Sequence, residues 1–205
     1  MELLTDVEAR VIGCLVEKQR TVPDTYPLTL NALVSACNQS SNRDPVVAYD
    51  ESMVLGAIDL LKGKGYARIV HPPGGQRATK YRHVLDEALG LDVGEVSLVA
   101  VLLLRGDQTE AELRTRTERY HPFGGAGELE AALGNLASRG LTVRLERRPG
   151  EREPRWRELL TEGPERDERP TGTQIARRTD MGPTLEERVA KLEEEVALLR
   201  QALLE

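Results

Sequence analysis

Two stretches of the chain end alike. Leu60-Leu61-Lys62-Gly63-Lys64-Gly65-Tyr66 and Asn135-Leu136-Ala137-Ser138-Arg139-Gly140-Leu141 each close an apolar helical pattern on glycine and run into a strand-like segment. The elements around them recur in the same order. Thr5-Asp6-Val7-Glu8 has the form of a capping box, with Val7, Val11, Cys14 and Leu15 on one face of a helix to about Lys18. Pro23 and Pro27 interrupt the chain before a second helix carrying Leu30, Leu33, Val34 and Cys37. Asp50 is placed to cap a third, with Val54, Ala57, Ile58 and Leu61 inward and Glu51, Ser52, Leu55 and Asp59 outward. Tyr66 to Val70 and Thr79 to Val84 then read as strands joined by a Pro-Gly turn.

The second pass begins near Asp92, with Val96, Val99, Leu102 and Leu103. It continues through the capping box at Thr109-Glu110-Ala111-Glu112 and a helix after Gly127 with Leu129, Ala132, Leu133 and Leu136. Leu141, Val143 and Leu145 alternate with polar residues, Pro149-Gly150 turns, and Trp156 to Leu160 returns. Helix–helix–helix–strand–strand, twice, predicts a mainly α (α+β) chain with small β-hairpins: two winged-helix domains in tandem, residues 1–84 and 85–160. Each is a helix-turn-helix variant.

Beyond them, residues 161–183 hold almost no apolar side chains and read as a flexible linker. Thr184-Leu185-Glu186-Glu187 then opens a segment, 184–205, whose Leu185, Val189, Leu192, Val196, Leu199 and Leu203 keep heptad spacing. Valines at a, leucines at d, and attractive Arg188–Glu193 and Glu195–Arg200 crossings predict a parallel coiled coil and a homodimer. A single amphipathic helix docked on its own domain is the other reading of the same spacing.

One stretch is chemically dense. After Tyr26-Pro27-Leu28-Thr29-Leu30-Asn31-Ala32-Leu33 comes Val34-Ser35-Ala36-Cys37-Asn38-Gln39, then Ser41-Asn42-Arg43-Asp44-Pro45-Val46. With Glu8 to Lys18 ahead of it, this run resembles the YceH-like family of bacterial proteins. The match resumes at Leu102-Leu103-Leu104-Arg105-Gly106, Gln108-Thr109, Glu112-Leu113-Arg114 and Pro149-Gly150-Glu151-Arg152-Glu153. The resemblance implies a tandem winged-helix fold and brings no reaction, ligand or catalytic residue with it. On the residues alone, Asn38, Asn42 and Asp44 suit turns that satisfy their own backbone. The connection from Asn38 to Tyr49 is nevertheless longer than a helix-turn-helix needs, so a specific contact loop around Arg43 stays open.

Enzymatic readings find little support. His71, His83 and His121 lack metal-ligand spacing, Cys14 and Cys37 form no CxxC unit, and the paired glycines carry no phosphate-binding fingerprint. No cofactor or metal is expected. The N-terminus is acidic where a signal peptide is basic, and the apolar run Leu98 to Leu104 is too short to span a bilayer, so a cytoplasmic protein with reduced thiols is expected. Net charge is +1 over residues 1–84, −3 over 85–160 and −4 over 161–205, which argues against avid, sequence-independent DNA binding. Acidic positions on both third helices disfavour their usual insertion into the major groove. Candidate phosphate contacts are therefore Arg43, Lys62, Lys64, Arg77, Lys80, Arg144, Arg147, Arg148, Arg152 and Arg155, mostly on the hairpins. The competing reading pairs those arginines with interleaved glutamates across the strands. Two functions are in view: a DNA-binding or regulatory factor, or a dimeric protein-interaction scaffold using acidic winged-helix surfaces.

Overall fold

A computed structural model describes residues 2–71, 78–147 and 149–161. The linker and the heptad segment, with all six predicted dimerisation positions, lie outside the described residues, as do Arg77 and Arg148. Among the described residues the chain has mixed α/β structure: seven α-helices and two small antiparallel sheets.

Helix α1 (Asp6–Thr21) starts where expected. Thr5 Oγ1 accepts from the Glu8 amide, and Glu8 returns a bond to the Thr5 amide at 2.8 Å. The short strand β1 (Leu28–Thr29) leads into α2 (Leu30–Cys37), which Thr29 caps. Helix α3 (Glu51–Gly63) is capped by Asp50, as its position predicted. Strands β2 (Ala67–Val70) and β3 (Lys80–His83) form the first hairpin. β3 is the centre of the sheet, pairing β2 through Ile69 opposite Tyr81 and β1 through Leu28 opposite Tyr81. A short helix, α4 (Leu85–Leu89), follows. The second series is α5 (Val93–Arg105), α6 (Glu110–Thr117), α7 (Ala126–Ser138), β4 (Thr142–Arg144) and β5 (Trp156–Glu158).

The repetition extends to backbone detail. Gly65 and Gly140 both have positive φ, 78° and 69°, which a side chain would strain. Behind them the Tyr66 and Leu141 amides donate to Leu61 and Leu136, closing α3 and α7 with the same reversed turn. Gln108, just ahead of α6, exchanges two backbone bonds with Trp156 of β5, in the place where β1 ahead of α2 pairs with β3.

The two halves do not keep separate cores. Every residue of α1 from Glu8 to Glu17, and every residue of α5 from Gly94 to Leu104, is buried. A helix buried all round lies at the centre of a structure rather than on its face, and α1 and α5 pack on each other there. Gly13 sits at the contact: a Cβ on it would lie 2.8 Å from Leu104 Cγ. At the edge, the Leu4 amide donates to Leu160 at 2.7 Å, and Leu4 bridges Thr161 in parallel. For α1 the sequence predicts a one-face pattern, and the structure covers its other face as well. The fully apolar run Leu98 to Leu104 was the sign of something more deeply buried.

Candidate functional site

The Cys37–Pro45 run is where the chemistry is densest, and the structure turns it inward. Helix α2 ends at Cys37, leaving the last carbonyls without helical partners. Arg43 supplies them from the following loop. Its Nε and Nη2 donate to Ala36 O at 3.1 and 3.0 Å, Nη1 to Asn42 O at 2.8 Å, and Nη2 to Gln39 Oε1 at 2.9 Å. The same guanidinium forks onto both carboxylate oxygens of Glu17 near the end of α1. Arg10 donates to Cys37 O at 3.1 Å and Pro45 O at 2.6 Å, and the Cys14 thiol reaches Ala36 O at 3.4 Å. Two cations thus sit at the negative end of α2, where its dipole favours them.

The rest of the loop is tied as firmly. Asn38 accepts from the Tyr49 amide and donates to the Tyr49 carbonyl, both at 2.8 Å, so its side chain stands in for a strand neighbour. Asn42 holds φ at 61°, a conformation asparagine tolerates, and accepts from Arg105. The Asp44 amide donates to Leu104 O at 2.9 Å. Tyr120, beyond α6, donates its hydroxyl to Glu17 Oε1 at 3.0 Å. The connection therefore joins α1, α2, α5 and the segment after α6.

Its electrostatics follow from that packing. Burial works to raise the Glu17 pKa, but the Arg43 hydrogen bonds and charge outweigh it and hold the carboxyl below its ordinary value. Burial and the same carboxylate push the Tyr120 phenol up. Contact with the Cys14 thiol, reinforced by burial, raises Cys37, so that sulfur stays a protonated core group.

Arg43 was a candidate phosphate contact. That expectation is corrected: the residue is 6% exposed and its guanidinium is saturated with internal acceptors. Lys64 is corrected likewise, because its ammonium binds Leu3 O at 2.7 Å and Glu8 Oε1 at 2.8 Å with the side chain buried. Lys62 is partly exposed and pairs with Asp59 at 3.0 Å. Lys80 is half-buried in β3. Arg155 is committed to Glu112 at 2.8 Å and Glu151 at 3.1 Å, and Arg157 forks onto Asp107. In the first half, Arg68 and Arg82 converge on Glu87 of α4. The interleaved charges thus do form pairs, but with helices and loops rather than across the strands. Arg144, Arg147 and Arg152 are left on the second hairpin, exposed and without an ion pair among the described residues. Glu17, Arg10 and Tyr120 were not singled out from sequence. A lone Glu17 closing a run of buried helix was the available signal.

A cavity of about 480 Å³ opens between the start of α5 and the flank of α7, lined by Val93, Gly94, His121, Phe123, Ala131 and their neighbours. Its acidic groups already serve the fold. Asp92 caps the Glu95 amide, Glu95 accepts from the Asp92 amide and from Asn135, and Glu128 accepts from the Gly124 amide at 2.6 Å.

His83, in β3, is the histidine the packing alters most. Its amide donates to the Tyr26 hydroxyl at 2.8 Å, and Nε2 lies 2.6 Å from Gln19 Oε1. Asp86 is 3.5 Å from Nδ1 and favours the proton, yet burial dominates and, with Arg20 and Arg82 nearby, takes the pKa down to about 4. The unfolded chain protonates this group near 6.5, so it binds the extra proton between those values. Stability from His83 is complete above about pH 6.5 and is lost as pH falls toward 4. Urea unfolding at pH 7.5 and pH 5 is expected to show a loss of about 2 kcal/mol from this group. A His83→Gln variant should lose correspondingly less; equal losses in both proteins would remove His83 from the account.

Residues 4–151 match the family model described as "Protein of unknown function, DUF480". The chain is 48% identical over 201 residues to the UPF0502 protein of Geobacter sulfurreducens, covering 96% of this chain and 90% of that one. It is 50% identical over 198 residues to the UPF0502 protein of Geotalea uraniireducens, with 95% and 89% covered. For the UPF0502 protein of Serratia proteamaculans the figures are 45% over 207 residues, with 98% and 94% covered. The buried clasp between Cys37 and Pro45 falls wholly inside the matched region, and the chain belongs to the DUF480 (UPF0502) family of bacterial proteins.

Proposed function

We propose that the chain is a non-catalytic regulatory protein built of two winged-helix units, residues 1–84 and 85–160, which meets the phosphate backbone of DNA through its second hairpin. The repeated order of three helices and a hairpin, with matching turns at Gly65 and Gly140, supports the winged-helix reading. The observation that carries the DNA contact is the set Arg144, Arg147 and Arg152, exposed beside a core that has consumed most other cations. Arginine suits phosphate, and a hairpin can follow a backbone without reading bases. The third helices take no part, since α3 and α7 expose Glu51, Asp59, Glu128 and Glu130 toward solvent.

Fluorescence anisotropy on a labelled duplex tests this. Binding at low salt should weaken steeply as salt rises, with a log–log slope of roughly −0.9 per phosphate neutralised. The Arg144→Ala/Arg147→Ala/Arg152→Ala variant should lose at least tenfold in affinity and flatten that slope. No binding at low salt, or binding the triple variant retains, sinks the proposal.

A second reading, a dimeric interaction scaffold, draws on one observation. Helix α3 exposes Met53, Leu55 and Leu60 at 43%, 39% and 56%, which is more apolar surface than a solvated helix needs.

A further inference from the structure

The repeat makes that apolar face informative. At the positions where α3 carries Met53, Leu55 and Leu60, α7 carries Glu128, Glu130 and Asn135. Both helices dock on the core in the same way, so the fold itself does not require large apolar side chains there. Between them on the outward face of α3 lie Ser52, Gly56, Asp59 and Gly63, and a Cβ on Gly56 would meet nothing within 4 Å. The face therefore has a shallow centre flanked by Met53 and Leu60 on one side and by Glu51, Leu55 and Lys62 on the other.

We propose that α3 is a self-complementary surface whose occupant is α3 of a second copy of this chain, packed antiparallel across a two-fold axis near Gly56. Antiparallel pairing about that point sets Met53 against Leu60 of the second copy and, by symmetry, Leu60 against its Met53. On the opposite flank it sets Glu51 against Lys62 of the second copy, twice, with the two Leu55 side chains between these pairs. Apolar meets apolar and acid meets base in one register. Lys62, already bonded to its own Asp59 at 3.0 Å, becomes a bridge between two carboxylates. Gly56 at the crossing lets the helix axes approach closely. A face one helix wide lies at the small end of specific interfaces, so association is concentration-dependent. It also places the third helix against protein rather than in a DNA groove, which fits its lack of free cations.

The test uses the full chain and reads contact at one residue, so that a dimer held through residues 184–205 does not confuse it. Cys14 and Cys37 are buried, which leaves an introduced surface thiol as the site of labelling. At tens of micromolar, Gly56→Cys should give a covalent dimer with a short bis-maleimide. Gly134→Cys, equally open on α7, should cross-link at least tenfold less. Glu51→Lys or Lys62→Glu added to Gly56→Cys should each reduce cross-linking about tenfold, and the two together should restore it, which separates loss of contact from loss of fold. Cross-linking at residue 56 no greater than at residue 134 would overturn the proposal. That holds whether the chain runs as a monomer, leaving α3 for a different protein, or as a dimer joined elsewhere. Cross-linking indifferent to both charge reversals would overturn it too, because the register would then be wrong.

Discussion

Arg43→Ala is expected to remove about 3–5 kcal/mol of folding stability, the range measured when one partner of a buried ion pair is deleted. That is a large share of the roughly 5–15 kcal/mol that holds a typical domain folded. The loss has three parts. The Ala36 carbonyl at the end of α2 loses both its guanidinium donors, Gln39 and Asn42 lose one each, and the Glu17 carboxylate is left buried with the Tyr120 hydroxyl and the Lys18 ammonium, 3.3 Å away, as its remaining close partners. Lysine would not rescue the site, since one ammonium cannot reproduce the fork. Removing both charges together, as Glu17→Leu/Arg43→Met, should recover much of the loss, because no lone charge then remains in the core. Urea unfolding of the three variants beside Arg147→Ala checks this. Exposed Arg147 should change stability by no more than about 0.5 kcal/mol. Equal effects at Arg43 and Arg147 would refute the clasp.

The second large effect is expected at Gly13. The Cβ of any other residue there would press on Leu104 Cγ at 2.8 Å and Cδ2 at 3.0 Å, between the two most deeply buried helices. Gly13→Val should cost about 2–3 kcal/mol, the upper part of the range for overpacking a core. Leu104→Ala alone should also destabilise, by about 2–5 kcal/mol, through the cavity it leaves. Because each change supplies what the other lacks, the double variant should be clearly more stable than the sum of the two predicts. Gly134→Ala, in an exposed stretch of α7 with open space around it, should instead stabilise by about 0.5–1 kcal/mol. Simple additivity at Gly13 and Leu104, measured in the same unfolding assay, would mean the two helices do not meet as described.

Local signals carried over well from sequence to structure. The Thr-x-x-Glu boxes at Thr5 and Thr109 and the Asp50 cap form where expected, because capping depends on a few neighbouring residues. Both hairpins and the stops at Gly65 and Gly140 follow from the same short-range chemistry. Three things needed partners from far along the chain. Strand β1 is two residues long and exists through pairing with β3, which no local pattern announces. Helix α1 reads as one-sided in sequence because periodicity reports which face is most apolar, not whether a second layer covers the other. Arg43 looked like a surface cation because its loop is polar, while its destination is set by Glu17, which lies a whole helix earlier in sequence. The unpaired arginines of the second hairpin were among the candidates, but sequence could not separate Arg144, Arg147 and Arg152 from the engaged Arg155.

The packing of α1 on α5, with Leu4 laced to Leu160, bears on how the molecule could respond to a target. Units joined by a small polar contact can swing to suit what they bind. These two share an apolar centre and are stitched again through Asp44 and Leu104, so bending between them would have to tear both. Under the proposed function, such a body would work as a rigid template. It would select DNA by whether the backbone spacing already fits, and it would keep little entropy to lose on binding.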